Sequence, residues 1–111
     1  IMPPSKGFHL GTNSDRIGGG LLIMHSWSTV VRAEKIGENL TIFQNVTIGG
    51  TYNPGIPIIG NNVTIWSGAV ICGKITIGNN VTIGPNAVIF KDVADNTTMV
   101  SALSYELQKK K

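Results

Sequence analysis

The stretch IGNNVTIWSGAVICGKITIGNNVTIGPNAVIF, residues 59–90, places an isoleucine at every sixth position: 59, 65, 71, 77, 83 and 89. Within it, Ile-Gly-Asn-Asn-Val-Thr-Ile occurs twice, at 59–65 and 77–83, an 18-residue repeat. A period of six suits neither an amphipathic helix nor a long alternating strand. It fits a chain that makes a short strand, turns, and does so three times per coil. Each coil buries its apolar side only against its neighbours, so the sequence predicts an all-β solenoid, a parallel β-helix of hexapeptides.

The frame extends upstream through Ile36, Ile42 and Ile48, and further to Ile17 and Ile23. Between Ile48 and Ile59 it breaks for an inserted loop at about residues 50–58. Coils of 19, 23, 18 and 18 residues then cover 17–94. Residues 1–16 read as an irregular lead-in, and 95–111 as a C-terminal tail, irregular or with a short helix. So narrow a prism has much surface for its volume, which favours oligomerisation. Trp27, Phe43 and Trp66 are candidate seam residues. Thr41, Thr64 and Thr82 are expected in one column, a feature that strand propensity explains.

Composition narrows the function classes. The 111 residues fit one domain, and the net charge of +3 resides in Lys109, Lys110 and Lys111. No basic stripe interleaves with aromatics, so nucleic acid is not an expected partner. A membrane partner is not expected either, for no apolar run approaches a membrane span and no signal-like start is visible. The single cysteine, Cys72, fits a reducing compartment, and a cytoplasmic location is expected. Only His9 and His25 are present, too few for a three-histidine zinc site, so no metal is expected.

The pattern resembles the left-handed β-helix acyltransferases, in particular the serine acetyltransferase branch and its relatives that acetylate surface-polysaccharide sugars. The residues that carry the resemblance are Ile23-Met24-His25, the run from Gln44 to Thr51, Gly55-Ile56-Pro57-Ile58-Ile59-Gly60, and the hexapeptides on to Val93. The left hand comes from the resemblance, since parallel crossovers are otherwise overwhelmingly right-handed. The resemblance implies a homotrimer with active sites between protomers and acetyl-CoA as acyl donor.

His25 matches the family's catalytic base. Its chemistry agrees, because imidazole titrates near neutrality and acyl transfer to a hydroxyl needs a proton acceptor. Its orienting partner is left open among His9, Asp15 and Glu34. Backbone N–H groups near Gly49 and Gly50 are candidates for the oxyanion. The resemblance assigns Gly49, Gly50, Thr51, Ser67, Gly68 and Pro85 to the cofactor, and turn geometry alone is the competing account of the glycines. Lys91 and the terminal lysines are weaker candidates for its phosphates.

Met24, Trp27, Tyr52 and Ile56 are the expected acceptor contacts. Where the serine enzymes carry an aspartate before the base and an arginine-histidine pair in the loop, this sequence has Met24, Gly55 and Ile56. The expected acceptor is therefore a sugar hydroxyl, with L-serine as the alternative. A non-catalytic binding or structural solenoid is the reading of another class.

Overall fold

The structure is a computed structural model that describes residues 9–12, 14–24, 28–50, 55–102, 104 and 106–108. Most hexapeptides make a two- or three-residue strand and then a corner. In the central coils the isoleucine points inward, and so does the apolar residue two positions earlier. Leu40 and Ile42, Val46 and Ile48, Val63 and Ile65, Ala69 and Ile71, and Val81 and Ile83 are all fully buried. The residue between them faces outward, which is the period of two that a strand requires.

Three parallel sheets result. The first face stacks His9–Leu10, Val30–Val31, Thr47–Gly49, Val70–Cys72 and Val88–Ile89. The second stacks Lys35–Ile36, Ile58–Ile59 and Thr76–Ile77, extended by single bridges from Ile17 to Ile36 and from Val93 to Ile77. The third stacks Leu22–Ile23, Thr41–Ile42, Thr64–Ile65, Thr82–Ile83 and Thr98–Met99. The chain visits the faces in that order and repeats, in the left-handed parallel β-helix expected. Thr41, Thr64 and Thr82 do form one column, and Thr98 continues it.

The Gly-Asn-Asn of the repeat builds the corner between the second and third faces. A Cβ on Gly60 would lie 2.7 Å from the carbonyl oxygen of Gly78 in the next coil, so only glycine permits this stacking distance. Asn61 accepts the Glu38 N–H at 2.8 Å, Asn79 accepts the Asn61 N–H at 2.8 Å, and Asp95 accepts the Asn79 N–H at 2.7 Å. Asn39, Asn62, Asn80 and Asn96 hold left-handed backbone with φ between 56 and 60°. Asparagine tolerates that region better than other non-glycine residues. Their side-chain amides run as a ladder, each Nδ2 donating to the next Oδ1 at 3.0, 3.3 and 3.1 Å.

The coil frame needs three corrections. Registers Ile17–Ile36, Ile36–Ile59 and Ile59–Ile77 give the expected 19, 23 and 18 residues, but Ile77 pairs with Val93, a coil of 16 rather than 18. A strict period would put the Asp95 carboxylate inside, where desolvation is costly. Val93 fills the interior instead, and Asp95 turns out to the backbone of Asn79. Pairing also runs past both expected limits of 17–94, starting at His9 and ending at Met99. Ile58 belongs to a strand, so the insertion ends before it and not at 58. Beyond Met99 the described residues are irregular.

Candidate functional site

The expected site residues divide between two corners of the prism. Met24, Phe43, Trp66 and Gly84 each follow an inward residue of the third face and stack coil on coil. Their N–H groups donate to Ile42 at 2.8 Å, Ile65 at 3.0 Å, Ile83 at 2.9 Å and Met99 at 2.7 Å respectively. Phe43 and Trp66 are stacked ring on ring, with centroids 4.3 Å apart and planes 9° from parallel. Met24 and Trp66 are each more than two-fifths exposed, so an apolar ridge faces outward here.

Ser67-Gly68 and Pro85-Asn86 continue this corner toward the first face. The Asn86 N–H donates to Ser67 O at 3.0 Å, and the Gly68 N–H to Gln44 O at 3.2 Å. Gly68 has φ +77° and lies against the Asn86 amide, so turn geometry already accounts for this glycine. Pro85, which has no N–H, offers only its carbonyl, and the Ser101 hydroxyl donates to that oxygen at 3.2 Å. Ser67, Gly68, Pro85 and Met24 thus share one corner.

Gly49, Gly50 and Ile56 lie on the corner between the first and second faces. Gly49 closes its strand opposite Cys72, and its carbonyl accepts the Gly73 N–H at 3.0 Å. A Cβ on Gly50 would lie 3.1 Å from Gly55 O and 3.4 Å from Ile56 Cγ2, so the insertion leaves and re-enters the coil at nearly one point. His25, Trp27, Thr51 and Tyr52 lie outside the described residues. The residues that bracket them, Met24 and Ser28 on one corner and Gly50 and Gly55 on the other, are separated by the first face. A single chain therefore does not bring Met24 and Ile56 together.

The orienting candidates separate in the same way. His9 opens the first face, opposite Val30. Asp15 is exposed in the 3-10 turn Ser14–Arg16. Glu34 sits on the first-to-second corner, where its Oε1 accepts from Arg16 Nη1 at 2.6 Å; both side chains are about half exposed.

Beside Ile56 runs a groove of about 520 Å³ lined by Glu34, Gly55, Ile56, Ile58, Lys74, Ile75, Thr76 and Asp92. The Lys74 stem lies across Gly55. Asp92 Oδ1 accepts the Thr76 N–H at 2.8 Å, which fixes the carboxylate at the foot of the second face. Gly55 and Ile56 carry no charge themselves, but their surroundings do. Lys74 and Asp92 are groove-lining charges that the sequence analysis does not single out; the signal available for Lys74 is one coil's spacing, which puts the 73–75 turn under Gly55. Among the described residues no cluster of His, Cys, Asp and Glu is set to hold a metal, and no helix is long and apolar enough to cross a membrane.

Residues 56–91 match the bacterial transferase hexapeptide (six repeats) family. The chain is 41% identical over 97 residues to the mitochondrial serine acetyltransferase 3 of Arabidopsis thaliana, a match covering 84% of this chain and 24% of that protein. Among solved structures it resembles serine acetyltransferase isoform 3 of Entamoeba histolytica in complex with cysteine. There the TM-score is 0.79 at 29% identity, over 95% of this chain and 39% of that one. It also resembles the Neisseria gonorrhoeae serine acetyltransferase in complex with serine, with TM-score 0.75 at 32% identity over 86% of this chain and 40% of the other. The chain thus spans less than half the length of these three proteins.

Proposed function

We propose that this chain, whose coils belong to the hexapeptide-repeat β-helix acyltransferases of the serine acetyltransferase family, transfers acetyl from acetyl-CoA to the hydroxyl of L-serine. The observation that carries the reading is the match of nearly the whole coil stack to serine acetyltransferases. A sugar acceptor, favoured by the apolar set Met24, Trp27, Tyr52 and Ile56, takes second place. The groove beside Ile56 is charged, which favours a charged acceptor over a neutral ring.

In this mechanism His25 takes the proton of the serine hydroxyl as its oxygen attacks the thioester carbonyl. Backbone N–H groups at Gly49-Gly50 steady the negative charge on the carbonyl oxygen. Collapse breaks the carbon–sulfur bond, and His25 returns its proton to the departing thiolate. Thr51, Ser67, Gly68 and Pro85 contact the acyl donor along the coils. The active assembly is a homotrimer in the cytoplasm or an equivalent reducing compartment. What supports the trimer is the separation of the Met24 corner from the Gly50–Gly55 corner, which a neighbouring copy would close.

The test is thiol release from acetyl-CoA with L-serine and with a panel of saccharides. L-serine should be used with kcat/KM of about 10⁴ M⁻¹s⁻¹ or above, the ordinary enzyme range. Release with saccharides and not with serine would replace this reading with the sugar one. Thiol release with neither, or a monomer in sedimentation at micromolar concentration, would remove it.

A further inference from the structure

We propose that Lys74 and Asp92 anchor the two charges of an α-amino acid in the groove on the first-to-second corner, Lys74 taking the carboxylate and Asp92 the ammonium. The inference rests on the serine reading and names the residues of this chain that would select for it.

The groove presents two solvent-exposed charges besides the Glu34–Arg16 pair. Glu34 is already neutralised by Arg16 at 2.6 Å. That leaves Lys74 as a cation and Asp92 as an anion, and among the described residues neither has an ionic partner within salt-bridge distance. Both are held in place from one side. Lys74 is the centre of a tight turn in which the Ile75 N–H donates to Gly73 O at 2.9 Å, and its stem rests on Gly55. Asp92 is held through Oδ1 by the Thr76 N–H at 2.8 Å, which directs the carboxylate to the face that lines the groove.

The apolar part of the same groove's lining is Ile56, Ile58 and Ile75. A zwitterion with a short side chain suits this arrangement. Its carboxylate and ammonium each meet an opposite charge, and its methylene meets the isoleucines. Charge-assisted hydrogen bonds of this kind are the stronger ones. A neutral sugar would leave both protein charges unmatched, and an amino acid lacking the carboxylate would leave Lys74 so. The volume of about 520 Å³ exceeds a small amino acid and leaves room for the thioester end of the donor.

The experiment uses the intact chain and its Lys74→Gln, Lys74→Arg and Asp92→Asn variants. Initial rates are measured with L-serine and with L-serinamide, which keeps the ammonium and hydroxyl but lacks the carboxylate. Lys74→Gln should raise KM for L-serine about tenfold or more, with kcat and the KM for acetyl-CoA within about threefold, as loss of uniform binding predicts. Lys74→Arg should restore most of the affinity. With L-serinamide, Lys74→Gln should change nothing, whereas Asp92→Asn should weaken both acceptors. Asparagine keeps the oxygen that Thr76 needs, so folding is preserved. An unchanged KM for L-serine in Lys74→Gln, or equal losses with serine and serinamide, overturns the proposal.

Titration calorimetry with L-serine reads the same contacts without turnover. If the parent chain transfers no acetyl group to serine, the functional reading fails. The groove assignment then stands if serine binding is weakened by Lys74→Gln, and falls if binding is absent or unchanged.

Discussion

Phe43 lies flat on Trp66, one coil below, with ring centroids 4.3 Å apart. The two residues are 23 positions apart in sequence, the length of the coil that carries the insertion. Their overlap is therefore a consequence of coil register, and it stiffens the corner directly below Met24. Aromatic pairs of this kind add about 0.5–1.5 kcal/mol beyond the area they bury. A double-mutant cycle with Phe43→Leu and Trp66→Leu, read by denaturation at fixed protein concentration, should give a coupling in that range. A coupling near zero would mean that the two rings contribute independently.

The asparagine ladder makes a second stability prediction. Asn80 combines φ of 57° with amide bonds to Asn62 above and Asn96 below. Asn80→Gly keeps the backbone conformation and loses the ladder bonds, about 1 kcal/mol for an ordinary exposed pair. Asn80→Ala loses the same bonds and also places a Cβ in the left-handed region, a further cost of about 1–2 kcal/mol. Alanine should thus be the more destabilising of the two, although it is the better residue in most strands and helices. Equal melting temperatures for the two variants would show that backbone conformation is not what this asparagine supplies.

These two corners also mark what the sequence made legible. A six-residue period of isoleucine was enough to read the coils, because Ile59, Ile65, Ile71, Ile77 and Ile83 are each fully buried in register. The second inward column, Val63, Ala69 and Val81 among them, is too varied in side chain to stand out. The last coil escaped because period counting gave no weight to the cost of burying Asp95 when Val93 stood two residues earlier. Ser67, Gly68 and Pro85 share one corner, since the separation of Ser67 and Pro85 is the 18-residue coil. That Lys74 and Asp92 line a groove with Ile56 is not legible in the sequence, because they come beside it only through the stacking of coils after the insertion. Met24 and Ile56, expected to line one acceptor cleft between protomers, stand on different corners of a single chain, because the first face lies between those corners.

That separation leads to the last prediction. If His25 acts from the Met24 corner and the 50–55 insertion from the other, each active site joins the histidine of one copy to the insertion of its neighbour. His25→Ala alone should slow acetyl transfer by about 10²- to 10⁴-fold, as loss of a general base does. Deleting residues 51–54 should abolish transfer while leaving His25 intact. In a mixed homotrimer some interfaces pair the intact histidine of the loop-deleted chain with the intact insertion of the His25→Ala chain. Random assembly of equal amounts makes about one interface in four competent, because each of its two halves is intact with even odds in a cyclic oligomer. Co-refolding the two variants should thus recover about a quarter of the parent rate, measured as thiol release from acetyl-CoA. Mixed trimers, confirmed by an affinity tag on one variant, that remain as inactive as their parents would place the histidine and the insertion of each site on the same chain.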